Sequence, residues 1–257
     1  MATMTSYAPG SFCWNELVTT DAASAKSFYS SLFGWNTTDQ EVEPGNYYTN
    51  IDIGGKSVAA LYGMNKAQLE RGVPPHWNLS VSVENVDETA AKVASLGGTV
   101  VLPPFDVMDL GRLAIIQDPT GAKLCLWQPG SHIGATLTGE NGAFCWWELQ
   151  THDIEKAKAF YTGLFGWVAG GSDQYVEWLN NGTSIGGLLK IQPEWGDGNV
   201  PPNWQSYVMV ESVDDSAAKA VELGGKILMP PMDIPGTGRF AVLADPQGAV
   251  FSIYKRA

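Results

Sequence analysis

The chain repeats itself. Residues 10–35, GSFCWNELVTTDAASAKSFYSSLFGW, and residues 142–167, GAFCWWELQTHDIEKAKAFYTGLFGW, are identical at 16 of 26 positions at a shift of 132. Residues 76–128 and 203–255 are identical at 22 of 53 positions at a shift of 127. The change of shift puts a five-residue insertion in the first copy between Trp35 and Tyr47, where EVEPGN reads as a lengthened turn. A repeat of about 120 residues is the size of an independently folding domain. The expected domains are therefore residues 1–134 and 139–257, with Pro129–Gly142 supplying the linker.

Each copy has the same internal pattern. Phe12, Trp14, Glu16 and Val18 alternate with Cys13, Asn15, Leu17 and Thr19, the period-two signature of a strand. Thr20-Asp21 offers a helix N-cap, Ala22, Ala25, Tyr29 and Leu32 recur at helical spacing, and Gly34 is placed to end the helix. Strand-like stretches follow around 47–53 and 57–62. After Pro74-Pro75 the order restarts: strand 77–83, helix Asp87–Leu96, then strands near 99–102, 112–117 and 123–127. Asp118-Pro119 and Asp245-Pro246 read as turns. The unit of strand, helix and further strands thus occurs four times, which predicts an α+β fold.

Charge and cysteine content narrow the function classes. Fifteen Lys and Arg against 27 Asp and Glu give a net charge of −12, so nucleic acid and anionic membrane surfaces are not expected partners. No stretch approaches the roughly 18 apolar residues of a membrane span. Three cysteines without CxxC spacing, and an N-terminal stretch unlike a signal peptide, predict reduced thiols in a cytoplasmic protein.

The run D-x-x-x-A-K-x-F-Y-x-x-L-F-G-W, the Val-Asp-led helix ending Leu-Gly-Gly, the Gly-Arg pair and Asp-Pro-x-Gly-Ala together resemble the glyoxalase/bleomycin-resistance/dioxygenase (vicinal-oxygen-chelate) superfamily. Tandem-domain members labelled glyoxalase-like or hydroxylase are the most similar subgroup. The resemblance covers nearly the whole chain. It implies two tandem domains, each of two βαβββ modules curling into a half-barrel around a concave site. One fold hosts many chemistries, so it specifies the fold far more tightly than the activity.

Metal-dependent members of that family place a His or Gln on the first strand of each module and a Glu on a late strand. The resemblance puts those positions on Trp14 and Trp146, Asn78 and Gln205, and Cys125 and Ser252, with the remaining one near Ala60 and Gly187. Of these only Gln205 ligates comfortably, so no metal is expected. Histidine supply agrees, because His76, His132 and His152 occupy no common place in the two copies. No cofactor fingerprint is present, and none is expected.

Glu16 and Glu148 share a strand face with the Trp at the former ligand position. An apolar surround penalises an ionised carboxylate and suits a general base, which makes both candidate catalytic residues. The alternative is a structural glutamate that accepts hydrogen bonds or pairs with an arginine. Arg112 and Arg239 are candidates either for binding a ligand anion or for being those partners. Trp14, Trp77, Trp146 and Trp204 open the four modules and are candidate ligand-binding walls, with core filling as the other reading. Trp35 and Trp167 are assigned to packing, as are Cys13 and Cys145, which alternate with the Trp face.

Three functions follow. The first is metal-independent binding of an aromatic or mixed polar–apolar small molecule. The second is a lyase, isomerase, hydroxylase or oxygenase using Glu16 or Glu148, and the third a scaffold whose clefts are filled by side chains. Four modules in one chain can satisfy module pairing without a partner, so a monomer suffices.

Overall fold

A computed structural model describes residues 3–172 and 175–257. The first copy runs β1 (Phe12–Thr19), α1 (Ala22–Phe33), β2 (Asn36–Glu43), β3 (Asn46–Ile53), β4 (Lys56–Gly63) and a short α2 (Lys66–Glu70). It continues with β5 (His76–Ser82), α3 (Val86–Val93), β6 (Thr99–Val107), β7 (Gly111–Gln117) and β8 (Lys123–Pro129). The second copy comprises β9 (Phe144–Thr151), α4 (Ile154–Phe165), β10 (Val168–Gly171), β11 (Val176–Asn180) and β12 (Thr183–Lys190). Then come β13 (Asn203–Met209), α5 (Val213–Glu222), β14 (Lys226–Ile234), β15 (Gly238–Ala244) and β16 (Val250–Arg256).

Each copy forms its own open eight-stranded sheet, ordered β2-β3-β4-β1-β5-β8-β7-β6 and β10-β11-β12-β9-β13-β16-β15-β14. The opening strands of the two modules, β1 and β5, are antiparallel neighbours at the centre, and each also pairs in parallel with the last strand of its own module. The second sheet repeats this register. The fold is therefore α+β, two tandem domains with mixed, unclosed sheets. Among the described residues no helix is long and apolar enough to cross a membrane.

The helix signals act as the sequence predicts. Asp21 caps α1 by accepting from Ser24 N, Gly34 ends it in the left-handed region at φ 73°, and Ala25, Phe28, Tyr29 and Leu32 are its buried stripe. Asp153 and Gly166 do the same for α4. The expected lengthened turn between Trp35 and Tyr47 is instead a strand: the insertion extends the β2–β3 hairpin, so β2 has eight residues and its counterpart β10 four. Every residue of β2 is exposed, which removes the alternation by which a strand is recognised.

A bulge shifts the face pattern of β1. Phe12 is paired with Val81 and Trp14 with Ser80, so Cys13 is an extra residue. Phe12 consequently joins Leu17 in the main core, while Cys13 and Trp14 lie together in a separate cluster with Ala60, Trp127 and Ala135. The expectation that Cys13 lies on the face opposite Trp14 is corrected by this bulge. The second domain repeats it between Phe144 and Trp146.

The main core is shared between domains, and its contacts are reciprocal. Phe12 stacks on Trp147 with ring centroids 5.0 Å apart and meets Trp204 edge-on at 5.1 Å, while Phe144 meets Trp77 at 5.2 Å. Trp35 Nε1 donates to Gly142 O at 2.7 Å, and Trp167 Nε1 donates to Gly10 O at 2.8 Å. Burying each such aromatic contributes about 1.5–3 kcal/mol, so the two domains behave as one hydrophobic unit. The assignment of Trp35 and Trp167 to packing fits this core, where they are 3% and 0% exposed.

Candidate functional site

The side of each sheet away from the shared core carries the candidate site, the face that the family resemblance expects to be concave. In the first domain β1 presents Trp14 and Glu16, with Ala60 and Asn78 directly opposite Glu16 on the neighbouring strands. Tyr48 of β3 ties the face together: its hydroxyl donates to Glu16 Oε1 at 2.6 Å and accepts from Trp14 Nε1 at 3.1 Å. Asn78 Nδ2 reaches the Tyr62 hydroxyl at 3.4 Å. Burial raises the Glu16 carboxyl above the ordinary carboxylate range, and the hydrogen bonds from Tyr48 and Trp14 oppose that shift. Burial also pushes the Tyr48 hydroxyl well up, with the Glu16 charge reinforcing it, so Tyr48 stays the donor.

The second domain has the same arrangement with one added hydroxyl. Trp146 Nε1 donates to the Tyr175 hydroxyl at 2.9 Å, and the Tyr207 hydroxyl donates to Glu148 Oε1 at 2.8 Å. Tyr175 and Gln150 also bond the Glu148 carboxyl, which burial raises despite these donors. Gly187 explains how Tyr175 fits, because a Cβ there would collide with its hydroxyl. Tyr48 and Tyr175 are related by the repeat shift of 127, so the repeat itself carried the signal for them. Tyr62 and Tyr207 are not repeated and carried none.

The remaining candidates lie elsewhere. Trp77 and Trp204 are buried in the shared core on the opposite face, where their indole N–H groups donate to Tyr29 at 3.2 Å and Tyr161 at 2.8 Å. Arg112 and Arg239 do not meet the glutamates. Arg112 is held by Asp87 at 2.7 Å and Asp106 at 2.8 Å, and Arg239 by Asp214 at 2.7 Å and Asp233 at 3.0 Å. Their alternation with the core residues Ala114 and Ala241 turns them to the helix side, beside the first turns of α3 and α5. The reading of an internal Glu–Arg pair is corrected accordingly. Asp118 and Asp245 do cap turns, as expected, each accepting backbone N–H bonds through Oδ1.

The donor set does not fit a divalent ion. Opposite Glu16 stand an amide, Asn78, and a methyl, Ala60, neither of them an anionic ligand. In the second domain Glu148 has Gln205 opposite, and Gln205 donates to Ser252 Oγ at 3.3 Å. Among the described residues no three His, Cys, Asp or Glu side chains converge as ligands.

The two faces differ in accessibility. Residues 130–136, read from sequence as linker, fold back over the first. Gly130 N and His132 N donate to Leu110 O, Ala135 N to Cys13 O at 2.8 Å, and Thr136 N to Ser57 O at 2.8 Å. The His132 ring meets Trp14 edge-on at 4.7 Å, and Trp127 Nε1 donates to His132 O at 2.9 Å. Tyr7 adds a bond to Ala135 O at 2.7 Å. Beneath this strap Cys13, Trp14 and Trp127 are buried, whereas their counterparts Cys145, Trp146 and Tyr254 are half-exposed. A surface groove of about 460 Å³, lined in part by Ile234, Gly236, Gly238 and Arg256, adjoins the end of β16. Another of about 320 Å³ lies between the start of α3 and the end of α4, and neither contains Glu16 or Glu148.

The profile of the Glyoxalase/Bleomycin resistance protein/Dioxygenase superfamily matches residues 12–126 and 143–253. CFP32 of Mycobacterium tuberculosis, which carries a provisional glyoxylase name, is 43% identical over 259 residues, covering 98% of this chain and 97% of that protein. The anthracycline biosynthesis protein DauV of Streptomyces sp. strain C5 is 34% identical, covering 97% and 94%. Among solved structures, the Mn(II)-bound glyoxalase of Novosphingobium aromaticivorans superposes with a TM-score of 0.67 at 15% identity, over 96% of this chain and 82% of that one. The 2,3-dioxygenase LapB of Pseudomonas sp. KL28 gives 0.64 at 13% identity, over 99% and 93%. The fold likeness and the two matched segments together make this chain a member of the glyoxalase/bleomycin resistance protein/dioxygenase superfamily, with one domain of that type in each half.

Proposed function

We propose that the chain is a metal-independent small-molecule-binding protein that takes a flat, partly polar aromatic ligand on these two faces, the second domain's being the more open. The half-exposed Trp146 beside the Glu148–Tyr175–Tyr207 cluster carries this reading: an aromatic wall next to a few fixed polar groups is the usual make-up of a ligand site. The kinship with a protein of anthracycline biosynthesis suits a fused aromatic ligand. Each candidate site draws its residues from a single domain, so this reading needs only one chain. Titration of the full chain with hydroxylated fused-ring aromatics, followed by tryptophan fluorescence, should give saturable quenching that Trp146→Leu weakens. Metal analysis after exposure to zinc, nickel and iron(II) should find far less than one ion per domain. Unsaturable quenching, or a stoichiometric metal, would sink the reading.

Glu16 favours a second reading, an enzyme. It is half-buried, raised by burial, and has its tyrosine donor at 2.6 Å, which suits proton abstraction from a bound carbon acid or phenol. Under this reading Glu16→Gln removes turnover while preserving ligand affinity. Turnover that survives the substitution rules Glu16 out.

A further inference from the structure

On β16, Ser252, Tyr254 and Arg256 occupy alternate positions, while Phe251 and Ile253 between them belong to the shared core. Ser252 pairs in register with Tyr207, the residue that donates to Glu148. The row therefore runs along the candidate-site face of the second domain and ends at Arg256. The Arg256 side chain hydrogen-bonds Tyr254 and lies toward the Cys145 thiol, and it also lines the surface groove at the end of β16 with Asp233, Arg239 and Lys255.

Arg256 differs from the two repeated arginines. Arg112 and Arg239 are each neutralised by two aspartates. Arg256 is exposed and makes no ion pair with a carboxylate among the described residues. A guanidinium on the same strand face as half-exposed Tyr254, with no carboxylate paired to it among the described residues, leaves a local positive charge in a chain of net charge −12. The position has no counterpart in the first domain, where the repeat places Pro129 and the strap folds over that end.

We propose that Arg256 is the specificity-determining residue of the second domain's cleft, and that the ligand class is a flat aromatic carboxylate. The ring lies on the Trp146–Tyr254 wall. The carboxylate accepts two parallel N–H bonds from the Arg256 guanidinium, which is planar and always charged. A ring hydroxyl at the far end meets the Glu148–Tyr175–Tyr207 cluster. This rests on the reading that the second cleft binds an aromatic ligand.

The test compares hydroxynaphthoate with the corresponding hydroxynaphthamide, which differ only in the anionic group, by calorimetric titration of the full chain at low ionic strength. The carboxylate is expected to bind about ten-fold tighter than the amide, as a charge-assisted pair gives over a neutral one. Added salt should narrow that gap. Arg256→Gln should bring the two affinities within about two-fold by lowering only that of the carboxylate, and Arg256→Lys should restore part of the difference. Circular dichroism checks that the exposed-site variants remain folded. Discrimination that persists in Arg256→Gln overturns the inference while leaving aromatic binding in place. Wild-type protein that binds neither probe, or binding that Trp146→Leu leaves unchanged, overturns both the inference and the reading beneath it.

Discussion

Tyr29 of the first domain donates its phenolic proton to Asp245 of the second at 3.1 Å, and Tyr161 returns the bond to Asp118 at 3.0 Å. Each aspartate also uses its other oxygen to cap a tight turn, and each tyrosine accepts from a module-opening tryptophan. The chain Trp–Tyr–Asp therefore crosses the domain boundary twice, fully buried at its tyrosines. Tyr29→Phe leaves the Trp77 indole N–H and one Asp245 oxygen unpaired in the core, which costs about 1–3 kcal/mol. A melting temperature several degrees lower, with the domains still melting in one transition, is the expected calorimetric result; an unchanged melt would mean the bond contributes nothing.

How much of this was legible in the sequence depends on which signal each residue carries. The repeat and its two periods gave α1, α4 and the central strands, because caps at Asp21 and Asp153 and glycines at 34 and 166 agree with the apolar stripes. Face assignments fail where a bulge interrupts the strand. The bulge at Cys13 inserts one residue, and a period-two pattern read through a bulge changes sides. Trp77 resembled Trp14 by position, yet lies on the other face because β5 is entered in a different phase. Arg112 found Asp87, an aspartate 25 residues away at the start of α3, a pairing that no local spacing announces. The strap over Trp14 is a tertiary event in a segment whose composition reads only as linker.

Glu148 gives the clearest pH prediction. Burial holds its carboxyl above the ordinary glutamate value of 4.5, so the folded chain binds that proton more tightly than the unfolded one. Stability from this group is present below that value and is lost as pH rises through the folded pKa. Glu148→Gln keeps an acceptor for Tyr207 but cannot ionise. Its stability relative to wild type should therefore improve steadily on going from acid toward neutral pH. Urea melts at several pH values read this directly, and a difference that is flat with pH would show that Glu148 titrates normally.

Arg112 and Arg239 are half-exposed, with ion pairs screened by solvent. Arg112→Gln is expected to shift the melting temperature slightly, less so in high salt, and to leave ligand affinity unchanged. A large loss of binding would return Arg112 to the site.

The strap predicts a difference in thiol chemistry between domains. Cys13 and Cys125 are buried beneath it, burial pushing the Cys125 thiol up to about 12, and Cys145 is half-exposed though also raised to about 12. Native protein should therefore react slowly with a thiol reagent at mildly alkaline pH, Cys145 first. The His132 ring rests edge-on against Trp14 at 4.7 Å and Trp127 at 6.0 Å, so His132→Ala removes the side chain that closes the cover. In that variant Cys13 and Cys125 should gain reactivity, and tryptophan emission should become more sensitive to acrylamide, while Cys145 is unaffected. If Cys145 accelerates equally, the change is general loosening and not the opening of the first cleft.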